Sequence, residues 1–277
     1  MTDLILAICS SAAISLIMRF SSDRVRNNVA MLAVNYLTCL LLAAFFTGSS
    51  FFPGDAALPG ALGMGIVHGI LYLASFVTFQ LSVRRSGVVL SAIFMKLGLL
   101  VPMVISIFLF REIPGPAQVL GFVLAVGAII LMNFQKDAAA SASAFGLLAL
   151  LLLGGAADAM SKIFEELGPG HLSAQFLLYT FLTAFVLCLG LAAWKKQRLT
   201  RWELLFGFAI GIPNFFSARF LLAALETLDA VIVYPTYSVA TILLITLAGT
   251  IFFREKLNRR QWTALGIILL ALVLLNL

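Results

Sequence analysis

Charge is scarce in this chain. Asp, Glu, Lys and Arg make up 11% of its 277 residues, against about a quarter in an ordinary soluble domain. Histidine occurs twice, at His68 and His171, too few and too far apart for a zinc motif. The three cysteines, Cys9, Cys39 and Cys188, have neither disulfide nor metal spacing and read as small packing residues. No Gly-rich phosphate loop ending in Lys-Ser/Thr occurs, which argues against ATP drive. With no ordered metal or nucleophile set, neither enzyme activity nor a metal or other cofactor is expected. The net charge of +6 is not a nucleic-acid footprint. Its Lys and Arg lie in short gaps between apolar blocks, as they do in membrane proteins.

Apolar residues are abundant. The chain is 62% hydrophobic, in blocks of about 20 residues, the length that crosses a bilayer as a helix. Backbone groups in hydrocarbon must be paired within the chain, so such blocks are helices or barrel strands. Barrel strands would be short and alternating; these blocks are continuous. Ten spans are predicted, at about 3–19, 29–48, 58–83, 87–110, 115–134, 144–164, 172–193, 203–227, 229–253 and 259–277. Turn residues fill the gaps, as in Pro114-Gly115-Pro116 and Gly168-Pro169-Gly170. Asp3 stands where a signal peptide would be basic, so none is expected.

The blocks form a repeat. Phe110-Arg111-Glu112 recurs as Phe253-Arg254-Glu255, 143 residues on. The same offset relates Gln118 to Gln261, Asn133 to Asn276, Arg19 to Lys162 and Tyr36 to Tyr179. Gly65 and Gly69 recur as Gly207 and Gly211 at an offset of 142. Residues 1–136 and 144–277 are therefore expected to be two five-helix repeats joined by a linker, 137–143. Five spans is an odd number, so the second repeat is expected to be inverted. Inverted repeats of broken apolar helices mark secondary transporters with a substrate site near the membrane midplane. Fourteen of the 18 basic residues fall in odd-numbered connections, such as Arg24, Arg26 and Lys195. Arg111 and Lys162 fall in even-numbered ones, and Lys96 and Arg219 lie within spans. This bias places the odd connections in the cytoplasm and both termini outside a cell (inner) membrane.

With the repeat, the ten spans and the Phe-Arg-Glu ends, the chain resembles the drug/metabolite transporter superfamily, EamA type. Gly87 to Asn133 and Asp229 to Asn276 carry the likeness: an apolar span ending in Glu, a Gln six residues on, then a last apolar span. Ala264 departs from the family's usual small Gly, present at Gly121. The resemblance implies ten helices and a site lined by the third, fourth, eighth and ninth spans. It also implies termini in the cytoplasm, the reverse of the charge bias.

A charge at the bilayer centre costs roughly 2.5–3.5 kcal/mol on insertion scales, so each needs a reason. Lys96 lies deep in the fourth span; its repeat partner is Ser238. Ser238 belongs to a one-face stripe with Tyr234, Tyr237 and Thr241. Together they are expected to bind substrate, Lys96 taking an anionic group, unless Lys96 serves an internal ion pair. Arg219 suits a carboxylate or phosphate, or else pairs with Glu226. Asn214 follows Pro213, which breaks the backbone ladder. His68, Tyr72 and Ser75 share a face that either lines the cavity, with His68 carrying protons, or packs beside Gly65 and Gly69. Asp158 either pairs with Lys162 four residues on or couples protons or cations. Glu112 and Glu255 read as structural.

A secondary transporter of a small polar metabolite bearing an anionic group is thus expected, such as an amino acid. It would work by alternating access around a midplane site, as a monomer or homodimer whose partners are the bilayer and a small-molecule substrate. The alternative is an exporter of cationic or drug-like compounds that uses Asp158.

Overall fold

The computed structural model describes residues 1–21, 24–48, 50–86, 88–133, 144–252 and 259–277. The second Phe-Arg-Glu with Glu255, and the linker 137–143, lie outside the described residues. Among those described the chain is all helical: α1 (Thr2–Ser21), α2 (Asn28–Thr47), α3 (Leu58–Ser86), α4 (Val88–Leu97), α5 (Leu100–Leu109), α6 (Pro116–Asn133), α7 (Ala144–Leu167), α8 (Ser173–Trp194), α9 (Arg201–Leu225), α10 (Ala230–Phe252) and α11 (Arg259–Leu275). Seven of these are long and apolar enough to cross a membrane. Large apolar side chains point outward, Phe45, Phe108 and Phe145 among them, while His68, Asn35 and Thr180 are buried. That is the reverse of a soluble protein and suits a hydrocarbon solvent.

Helix ends follow local chemistry. Pro116 opens α6, where a missing N–H costs nothing. Gly48, in the left-handed region at φ 67°, closes α2 by donating to Ala44 O and Phe45 O. Thr200 caps α9 in a box with Glu203.

The fourth predicted span is two helices. Pro102 has no N–H for the carbonyl of Gly98, so the regular ladder cannot run through. A tight turn replaces it, with Val101 N donating to Gly98 O at 2.9 Å.

The chain forms two compact units, each drawing on both sequence halves. The first holds Met1–Leu73 and Ile163–Glu226. In it α9 packs along α1 and α2, and α2 along α8. Both GxxxG pairs are close approaches here. A Cβ on Gly65 would stand 2.9 Å from Phe176 O on α8, and one on Gly211 2.8 Å from Asn35 O on α2. The third span thus packs on the seventh, and its repeat partner, the eighth, on the second. The second unit holds Ala74–Lys162 and Thr227–Leu277, with α10 against α5, α6 and α11, and α6 against α11. Gly121 of α6 meets α11 closely: a Cβ there would stand 3.0 Å from Leu275 N and 3.1 Å from Ala271 O.

Candidate functional site

In the second unit, the break between α4 and α5 lies against α7. A Cβ on Gly98 would sit 3.0 Å from Gly155 N and 3.3 Å from Leu151 O; one on Gly155 would overlap Gly98 O. Only two glycines permit this crossing. Lys96 ends α4 two residues before it, and Asp158 follows Gly155 by three residues on α7. Each is the charged group acting on the other, although they form no direct ion pair.

Asp158 is also where α10 attaches. Tyr234 Oη donates to Asp158 O at 2.7 Å, and the tyrosine is 1% exposed. Ser238 and Thr241 are buried farther along α10. Thr241 Oγ1, and Ser106 Oγ on the adjoining α5, are enclosed hydroxyls with no hydrogen-bond partner among the described residues. An unmet buried hydroxyl costs about 1–3 kcal/mol, so such atoms are unusual in a core. Tyr237 is partly exposed on the same helix. The unit therefore holds a cation and a carboxylate that act on each other beside a broken helix, with Tyr234 tied to the backbone of the carboxylate residue.

The pairing differs from the sequence expectation at two points. Asp158 does not pair with Lys162. Lys162 Nζ meets Glu112 Oε1 at 2.7 Å instead, with the lysine almost wholly enclosed. Glu112 Oε2 also accepts from Val231 N at 3.2 Å, at the start of α10. Glu112 is therefore a structural tie between α7 and α10, and the charge acting on Asp158 is that of Lys96. The repeat offered a hint: Lys162 matches Arg19, a residue at a span end, so its own role belongs to the membrane edge.

The remaining expected site residues lie in the first unit. His68 is 1% exposed, stacked on Phe176 at 5.2 Å and beside Tyr72 at 4.7 Å, with Nδ1 3.4 Å from Thr180 Oγ1. Tyr72 packs edge-on to Tyr36. This is an aromatic core next to the Gly65–Gly69 face. Asn214 Nδ2 donates to Asn35 Oδ1 at 3.2 Å, and Cys39 Sγ to Gly211 O, so the polar groups near Pro213 satisfy one another. Arg219 makes no ion pair with Glu226. Its guanidinium lies over the Phe46 ring, 4.0 Å from the centroid.

One buried carboxylate escaped the sequence reading. Glu203, 1% exposed, caps α9 and accepts from Arg26 N and Asn27 N before α2. The signal was present in Thr200-Arg201-Trp202-Glu203, a capping-box pattern ahead of an apolar run.

A model of the EamA-like transporter family matches the chain twice, over residues 1–134 and 140–277. An uncharacterized protein of Haemophilus influenzae is 24% identical over 278 residues, covering 97% of this chain and 94% of its own length. A protein of known crystal structure shares the fold, with a TM-score of 0.77 over 99% of this chain and 94% of that one, at 15% identity.

Proposed function

The chain belongs to the EamA-like transporter family, multi-pass membrane proteins that move small molecules, and on that premise we propose that it is a secondary transporter of a small zwitterionic metabolite of the amino-acid class. Lys96 takes the anionic group and Asp158 the cationic one. The observation that carries this reading is the electrostatic interaction of Lys96 with Asp158 beside a broken helix, with Tyr234 fixing the backbone at Asp158. Charges at membrane depth mark substrate paths, and broken helices free polar groups where a cavity needs them. Thr241 and Ser238 supply hydroxyls, and Tyr237 an aromatic wall. Alternating access then exchanges the mutual attraction of Lys96 and Asp158 for their contacts with substrate. The sequence repeat supports two inverted halves as the moving parts.

Purified protein in proteoliposomes, tested against a panel of labelled amino acids, is the decisive measurement. Saturable uptake is expected, lost in Lys96→Met and in Asp158→Asn. A second reading, export of a cationic compound, rests on Asp158 being free of Lys162. Under it Lys96→Met keeps transport of a cationic dye while Asp158→Asn loses it. If both variants fold and transport amino acids as the native protein does, neither residue belongs to the site.

A further inference from the structure

The first unit contains a cavity of about 230 Å³ that the proposed transport of a zwitterion by Lys96 and Asp158 does not use. Its walls come from the end of α2, the start of α8 and the end of α9: Phe46, Ala174, Leu177, Phe215, Arg219 and Glu226. We propose that this cavity is a binding site for an amphiphilic anion, with its carboxylate or phosphate on Arg219 and its apolar stem against Phe46, Phe215 and Leu177.

The charge is the first ground. Arg219 is half-buried and forms no ion pair among the described residues, even though Glu226 stands on the same wall. A guanidinium within an apolar span is costly without a counter-charge or water. Its contact with Phe46 uses the flat face of the group. The N–H edges stay in the plane, where a carboxylate or phosphate binds bidentately. The walls are the second ground. Apart from Arg219, Glu226 and Ser173, the lining is aliphatic or aromatic, which suits a ligand with a hydrocarbon body. Depth is the third. Arg219 lies six residues before Leu225, about 9 Å from the helix end at 1.5 Å per residue. At that distance from the end, a headgroup at the membrane surface can reach the guanidinium while its apolar stem lies among the helices. The N-terminus of α8, which no side chain caps, opens onto the same space and favours a negative charge.

This chemistry has two sources, a free amphiphilic acid and an anionic phospholipid of the bilayer. Both are tested by equilibrium binding of radiolabelled octanoate and octyl phosphate to the full chain in phosphatidylcholine nanodiscs. Saturable binding is expected, weakened at least tenfold in Arg219→Gln and partly restored in Arg219→Lys. Ala223→Leu, which fills the cavity without touching the charge, should also abolish it, and this keeps the test open if Arg219→Gln fails to fold. Lys96→Met should bind both probes normally, so failure here and failure of the transport reading are separable. Replacing phosphatidylcholine by phosphatidylglycerol then assigns the source: competition identifies the lipid, and undiminished binding the free acid. Absence of saturable binding, or binding undiminished in folded Arg219→Gln and Ala223→Leu, overturns the site.

Discussion

At Glu112 one carboxylate performs two tasks, and its replacement separates them. Oε1 neutralises the buried Lys162, and Oε2 accepts the N–H of Val231. Lys162→Met leaves a carboxylate enclosed without its counter-charge and should destabilise the protein by about 3–5 kcal/mol. Lys162→Met with Glu112→Gln removes both charges yet keeps an acceptor for Val231. It should recover most of the loss. Melting curves of the two variants in the same detergent check this, and equal melting points would show the pair to be dispensable.

Asp55 makes a pH-dependent contact outside the spans. Its carboxyl is held below the usual range, first by the N–H of Ala57 and then by His171, whose Nε2 lies 2.6 Å away. A depressed carboxylate adds stability above its unfolded pKa and loses it as pH falls through the folded one. The tie between the 50–57 segment and the start of α8 should thus be constant at neutral pH and fade below about pH 4. Hydrogen exchange of the 50–57 amides should rise over that range in the native protein, and be fast and flat in Asp55→Asn.

At the scale of elements, the break after Lys96 depends on a glycine contact. A Cβ on Gly155 would stand 2.6 Å from Val101 Cβ and overlap Gly98 O, and neither backbone can yield cheaply. Gly155→Ala should cost about 1–3 kcal/mol, as overpacking does, and should lower transport by displacing Asp158 from Lys96. Gly127 on α6 is the control, since nothing lies within 4 Å of a Cβ there. Gly127→Ala should raise stability by about 0.5–1 kcal/mol through helix propensity alone. Similar melting points for the two variants would refute the crossing.

These elements also show what the sequence could reveal. Span positions were legible because a run of about 20 apolar residues has one stable form in hydrocarbon. The GxxxG pairs were legible as close-packing faces. The break at Gly98 was only half legible: Pro102 announced it, but the partner Gly155 lies 57 residues away and has no periodic signature. The counter-charge of Lys96 was illegible for the same reason. Asp158 and Lys162 share one helix face, so local spacing favoured each other as partners, while Lys162 pairs with Glu112 beyond α5 and the charge acting on Asp158 comes from α4.

For the whole molecule, the charge bias and the family resemblance predict opposite orientations. Fourteen basic residues in odd connections against two in even ones is a larger asymmetry than chance loops carry. Short connections obey that rule best, because each charge lies close to a span end during insertion. α8 offers a clean test. It runs from Ser173 to Trp194 with no charge inside, so Gly170 and Lys195 stand at its opposite ends. Gly170 has nothing within 4 Å of a Cβ, and Lys195 is exposed, so a cysteine at either place disturbs little. The native thiols are manageable, since Cys39 and Cys188 are buried and only Cys9 is exposed. In a Cys9→Ser background, an impermeant thiol reagent applied to intact cells should label Gly170→Cys and leave Lys195→Cys unlabelled until the membrane is opened. The reverse pattern would place the basic connections outside. It would mean that the resemblance, rather than the positive charge, predicts how this chain is inserted.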